Sequence, residues 1–168
     1  LFNLPVTLFR FFTVYGPWGR PDMALFKFTQ GILNGQPIDI YNNGEMYRDF
    51  TYVSDLTQAI SLLIGHIPQR MDEKNKNVHD ENTCRVAPFR IVNIGNSEKV
   101  KLLDFIEAVE EALKLKAKRN YLPMQQGDVP ATWADCTLLH KLTGYQPETH
   151  YKKGILAFVN WYREFYLR

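Results

Sequence analysis

The ten residues VTLFRFFTVY at positions 6–15 constrain this chain more than any other stretch. They are mostly β-branched and aromatic, which reads as a single buried strand. The run stops at Gly16-Pro17, and a charged cluster follows in which Arg20 and Asp22 stand two residues apart. Either that cluster is a solvated surface turn, or it is a ligand site at the carboxyl end of a strand, where open α/β sheets bind. A membrane span is excluded for this opening segment, because Pro5 and Arg10 interrupt it and it is too short. It also lacks the layout of a signal peptide.

The segments that follow alternate between the two secondary-structure periods. Residues 22–35, DMALFKFTQGILNG, read as a helix with Asp22 near its start and Gly35 as its stop. PIDIYNNGEMYRDFTYV then alternates apolar and polar residues around Asn43-Gly44, a hairpin signal. Residues 54–67 read as an amphipathic helix capped by Ser54 or Asp55. Residues 66–88 are polar and charged and are expected to form a surface loop. FRIVNIGN is a second buried strand, LLDFIEAVEEALKLK a periodic helix, and RNYLP a short strand. The loop MQQGDVPATWAD, the helix TLLHKLTG and the long YKKGILAFVNWYREFYLR complete the order. Strands alternating with helices specify an α/β fold.

With 168 residues, 45% hydrophobic and 14% aromatic, one compact unit with a sizeable core is expected. A net charge of +2 is too mild to indicate nucleic acid. Cys84 and Cys136 lie far apart with no CxxC, so free thiols in a reducing cytoplasm fit better than a disulfide or a zinc ribbon. The residues HDENTC offer metal-ligand types but have no second cluster to complete a site, and no metal site is expected.

Two arginines suit an anionic ligand, because guanidinium is planar, permanently charged and able to bind two oxygens at once. Arg20 follows the first strand and Arg48 opens RDFTYV. The plainer reading pairs them with Asp22 and Asp49 at the surface, where such pairs are common and weak. Tyr41 could stack on a base or simply pack. Gln125 and Asp128, in QQGD, could hydrogen-bond a sugar or form a plain turn. The basic run KLKAKR, 114–119, reads as a solvated helix end. No glycine-rich dinucleotide loop occurs, and none of the nine tyrosines has a lysine four residues later. No nucleophilic triad is suggested.

Taken in order, RFFTVYGPWGRPDMALFKF, PIDIYNNGEMYRDFTYVSDL, RIVNIGNS, MQQGDVPATWAD and GYQPET resemble the extended short-chain dehydrogenase/reductase superfamily of NAD-dependent epimerases and dehydratases. Phe9 precedes Arg10 where leucine is usual. Within that group the chain is most similar to bacterial UDP-glucuronate 4-epimerases of capsule and lipopolysaccharide synthesis, over all but 66–88. The resemblance implies an α/β fold made of the terminal part of a Rossmann-type parallel sheet, with strands near 6–13 and 90–94, plus the small α/β substrate-binding domain. The match is to the carboxyl-terminal half, so the chain is expected to be a piece of a longer protein. The NAD phosphate loop and the Tyr-x-x-x-Lys pair are expected upstream, the piece alone is expected to be inactive, and its exposed apolar faces are expected to favour self-association. The intact parent is expected to be a cytoplasmic homodimer.

The resemblance also implies residue roles. Phe12 lies beside the nicotinamide end of NAD. Thr13 and Arg20 hold the sugar carboxylate, Tyr41 lines the uracil pocket, Arg48 meets the diphosphate, and Gln125 and Asp128 stand in the loop closing over the nucleotide. Gln126 replaces the proline usual after Gln125, which should loosen that loop. The implied reaction interconverts UDP-glucuronate and UDP-galacturonate by hydride abstraction and return at C4. A UDP-glucuronate decarboxylase, another dehydratase of the same fold, or a non-catalytic nucleotide-sugar or dinucleotide binding module are the alternatives.

Overall fold

The opening run folds as two strands rather than one. A computed structural model describes residues 3–70, 84 and 86–167. In chain order the elements are β1 (Val6–Phe11), β2 (Thr13–Tyr15), α1 (Ala24–Leu33), β3 (Pro37–Ile40), a 3-10 turn (Tyr41–Gly44), β4 (Tyr47–Arg48), β5 (Phe50–Tyr52), α2 (Val53–Ile64), β6 (Phe89–Ile94), β7 (Val100–Lys101), α3 (Leu102–Leu113), β8 (Lys118–Tyr121), α4 (Thr137–Thr143) and α5 (Tyr151–Tyr166). Of the expected 66–88 loop, residues 71–83 and 85 lie outside the described residues, and with them most of HDENTC.

The molecule is α/β, and its strands pair mostly in parallel. β1 runs parallel to β6, with Val6 opposite Phe89 and Phe11 opposite Ile94. After Phe12 the chain changes partner, and β2 runs parallel to β5 with Thr13 opposite Phe50. β3 is parallel to β8, and β4 is antiparallel to β7. Gly16 ends β2 with φ +136°, where a Cβ would meet Val53 Cγ1 at 2.7 Å. Only glycine permits that turn so close to α2.

The expected hairpin at Asn43-Gly44 does not form. Asn42, Asn43 and Gly44 all adopt positive φ, at 49°, 51° and 83°, one more left-handed residue than a two-residue hairpin turn uses. Asn42 Nδ2 donates to the Glu45 carbonyl at 2.8 Å and closes a local turn instead. The flanking strands β3 and β4 are left to find the other partners named above.

The helix starts also differ from expectation. α2 begins at Val53 without a side-chain cap. Asp55 accepts instead from the Thr149 N–H and hydroxyl, both at 2.9 Å, and so ties α2 to the segment before α5. Asp22 precedes α1, but the residue at the cap position is Met23, which makes no side-chain cap bond. Lys114, Lys116 and Lys118 of the basic run are exposed at and beyond the end of α3, as expected of a solvated helix end, but two of the run's cations also find a buried partner. Lys116 and Arg119 close on Glu110, at 2.7 and 3.1 Å, and the Glu110 side chain is only 2% exposed.

Two hydrophobic clusters result. The larger joins α1, β3, α3 and α5 around Phe26, Ile40, Phe105, Ile106, Ile155 and Phe158. The smaller joins β6, α2 and α4 around Leu56, Ala59, Val92, Ile94 and Leu139. β1 belongs only marginally to the second: Val6, Leu8 and Phe11 are exposed. Among the described residues β1 pairs with β6 alone, so the expected burial of the whole opening run holds at Tyr15 and fails along β1. No helix among the described residues is long and apolar enough to cross a membrane.

Candidate functional site

Where β1 gives way to β2, the chain lines a cavity of about 430 Å³ together with α1, α3 and α5. Phe12, Thr13, Trp18 and Arg20 all contribute to its wall, so three residues singled out from sequence share one hollow. Thr13 is fixed by its N–H, which donates to the Asp49 carbonyl at 3.0 Å. Arg20 Nη2 donates to Asp22 at 2.9 Å, with the two side chains 72% and 65% exposed. The surface pairing considered for Arg20 is therefore present, and it does not remove Arg20 from the cavity wall. A pair this exposed contributes at most about 1 kcal/mol, so an incoming anion can displace Asp22.

Tyr41 lies elsewhere. It lines a second hollow of about 340 Å³ with Asp22, Lys27, Ile38 and Asp39, and this hollow shares Ala24 of α1 with the first. Arg48 lines neither hollow. Nor does it pair with Asp49. Its Nη1 donates to the Tyr47 carbonyl at 2.9 Å and its Nη2 to Asp128 Oδ1 at 2.7 Å. Arg48 and Asp128, proposed separately from sequence, thus meet in one ion pair. Asp128 also accepts the Val129 N–H at 2.8 Å, and its own N–H donates to the Gln125 carbonyl at 3.2 Å, so QQGD forms a turn at Gly127. Gln125 is exposed.

The loop carrying Asp128 is sewn along β4. The Tyr47 N–H donates to the Pro130 carbonyl at 2.9 Å, and the Thr132 N–H returns to the Tyr47 carbonyl at 3.2 Å. Lys99 Nζ caps the Trp133 ring from 3.6 Å.

Sequence reasoning gave Asp49 only as a surface partner for Arg48. It is fully buried. The signal was present, since Asp49 directly precedes the apolar run FTYV, but a carboxylate is seldom buried without partners, and the partners come from segments remote in sequence. Trp18 was also missed. It is 73% exposed, adopts φ 63°, and packs on Trp161 and Phe165 with ring centroids 5.4 and 5.0 Å away.

Other titratable groups are structural. Burial, then the Asp55 charge and hydrogen bond, push Tyr145 up to about 12. Burial raises the Cys136 thiol, whose Sγ bonds the Gly95 N–H and carbonyl, each at 3.2 Å. Cys84 and Cys136 are both free.

Residues 1–103 match the model of the NAD dependent epimerase/dehydratase family. The chain belongs to this family. Its relatives include a "Probable UDP-glucuronate 4-epimerase" of Rhizobium meliloti, 51% identical over all of this chain and 49% of that protein. Protein CapI of Staphylococcus aureus is 48% identical over 99% of this chain and 49% of its own length. Among solved structures, the UDP-glucuronic acid 4-epimerase from Bacillus cereus in complex with UDP-glucuronic acid and NAD superposes with a TM-score of 0.80 at 28% identity, over 98% of this chain and 47% of that one. The fold is therefore that of Rossmann-type epimerases and dehydratases. The chain spans about half the length of the curated relatives it matches.

Proposed function

We propose that this chain is the carboxyl-terminal, UDP-sugar-binding portion of an NAD-dependent nucleotide-sugar 4-epimerase that interconverts UDP-glucuronate and UDP-galacturonate. The observation that carries this reading is the shared wall of the 430 Å³ cavity, where Thr13 and Arg20 stand with Phe12 at the junction of β1 and β2. The relatives and solved structures named above bear on the same substrate class.

In this reading Thr13 donates a hydroxyl hydrogen bond to the sugar carboxylate, and Arg20 exchanges Asp22 for it. Each charge-assisted bond contributes about 1.5–3 kcal/mol. Together they fix the orientation and charge of a carboxylate that, beside a 4-keto group, would otherwise be lost as CO₂. Tyr41 takes the uracil in the second hollow, Arg48 takes the diphosphate, and the turn bearing Gln125 and Asp128 covers the nucleotide.

The residues present fit one end of NAD. Phe12 offers an aromatic ring in a mostly apolar wall, suited to a flat nicotinamide, whereas the phosphates would need a glycine-rich loop that this sequence lacks. When bound, NAD supplies a hydride acceptor and donor for the sugar C4. Its phosphates, and the tyrosine that takes the hydroxyl proton, belong to a preceding half, and the intact enzyme is cytoplasmic.

The test is the complete reading frame containing this sequence, expressed and given UDP-glucuronate and NAD. Proton NMR should detect UDP-galacturonate; UDP-xylose would assign a decarboxylase, and no turnover would leave a binding module. In the same protein Arg20→Ala should weaken UDP-glucuronate binding by about tenfold or more while leaving UDP binding within about twofold. Equal losses for both ligands would remove Arg20 from the carboxylate.

A further inference from the structure

The Asp49 carboxylate has no exposed surface and accepts four hydrogen bonds, all from neutral donors. Oδ1 takes the Thr51 hydroxyl at 3.1 Å and the Asn96 N–H at 2.7 Å. Oδ2 takes the Ser97 N–H at 2.9 Å and the Ala134 N–H at 3.0 Å. Asn96, Ser97 and Ala134 lie in no helix or strand, so their N–H groups have no ladder to join and the carboxylate satisfies them. Gly95 is part of the same packing. A Cβ there would meet Asp49 Oδ2 at 2.8 Å and come closer still to the Ala134 side chain.

These bonds converge on the residues that the proposed function uses. The Asp49 carbonyl holds the Thr13 N–H at 3.0 Å. Its neighbour in sequence is Arg48. Its side chain anchors, at Ala134, the loop whose other end presents Asp128 to Arg48 at 2.7 Å. Two segments far apart in sequence, at 96–97 and 134, are thereby registered on one carboxylate, and a third, at Thr13, on the same residue's backbone carbonyl.

We infer that Asp49 is a positioning residue: its buried carboxylate, bound to the N–H groups of Asn96, Ser97 and Ala134, sets the geometry in which Arg48 meets a ligand diphosphate. This rests on the reading that Arg48 binds the diphosphate. Asp49 itself touches no ligand. A charged acceptor in a dry site strengthens bonds to backbone N–H groups, and an asparagine there would turn an amide NH₂ toward donors and leave at least one of them unpaired.

The test uses the complete reading frame containing this sequence, with UDP as the probe. Affinity is read by calorimetry, Arg48 order by NMR exchange of its Nε–H, and loop order by amide hydrogen exchange. In the wild type, the amides of Asn96, Ser97 and Ala134 should exchange slowly although they lie outside regular structure. Asp49→Asn should weaken UDP binding by about tenfold or more and loosen both Arg48 and the three amides. Thr51→Val removes a donor from the same carboxylate without touching the loops, so it should lower thermal stability yet keep UDP affinity within about twofold.

If Asp49→Asn does not fold, a backbone ester with lactic acid in place of Ala134 deletes a single N–H donor and should still loosen Arg48 and weaken UDP binding severalfold. A folded variant of either kind with wild-type affinity and a wild-type Arg48 signal would overturn the inference, as would unprotected amides in the wild type. A wild type that binds no UDP would instead overturn the role given to Arg48, and Arg48 order in the variants would still decide whether Asp49 positions it.

Discussion

Phe105 of α3 has no exposed surface and stacks on Phe50 with ring centroids 3.8 Å apart, whereas Leu8 and Phe11 of β1, equally apolar, are each 47% exposed. The difference lies in what each element packs against. α3 is enclosed by α1 and α5, and Phe105 meets aromatic rings from β2, β5 and α5. β1 has a neighbour on one edge only among the described residues. Parallel strands are normally covered on both faces, so the two regions show the same kind of residue closed into a core in one place and left as open surface in another. The proposed site lies where they join, at the change of partner after Phe12.

That contrast can be broken most severely in the larger cluster. Phe105→Ala should cost about 3–5 kcal/mol by lost transfer and cavity energy, read as a large fall in the thermal midpoint. A loss below about 1 kcal/mol would mean that the α1–α3–α5 cluster is not the main source of stability.

Glu110 sharpens the comparison through charge. Burial alone would raise its carboxyl, but Lys116, the Ala117 N–H and Arg119 outweigh burial and hold it below the usual carboxylate range. A depressed folded value stabilises above the ordinary glutamate value of about 4.3, and the contribution is lost as pH falls through the lower folded value. Glu110→Gln should therefore cost about 1–2 kcal/mol at pH 7. The gap between the two melting curves should close as pH is lowered below about 4. A gap independent of pH would show that the cluster acts by packing alone.

The smallest effect belongs to β1. Replacing Leu8 and Phe11 by threonine should change stability by less than about 0.5 kcal/mol per site, while concentration-dependent association measured by sedimentation should fall. A large loss of stability would mean that this face is part of a core after all.

Much of the architecture was legible beforehand for a local reason. Helices α3 and α5 declare themselves by apolar residues at helical spacing, and FRIVNI by β-branched residues between turn signals, because each period is a property of the backbone. Asn43-Gly44 misled for the complementary reason: a turn signal gives the local φ and not which strands then pair. The site divides in the same way. Arg20 stands out as a guanidinium just past a strand, and the cavity wall includes it. The Arg48–Asp128 pair spans eighty positions of sequence, and no spacing rule reaches that far.

The sequence by itself determined that this chain is α/β, that its segments follow the order of the NAD dependent epimerase/dehydratase family, and that Arg20 and Arg48 stand next to strand-like runs. Periodicity, turn residues and ordered motifs carry that information because each acts within a few residues. Only the tertiary structure decided that one strand-like run serves two sheets, that Arg48 meets Asp128, and that Asp49 lies buried among backbone N–H groups from distant loops. Those outcomes depend on which groups are removed from water together, and burial is a property of the assembled chain.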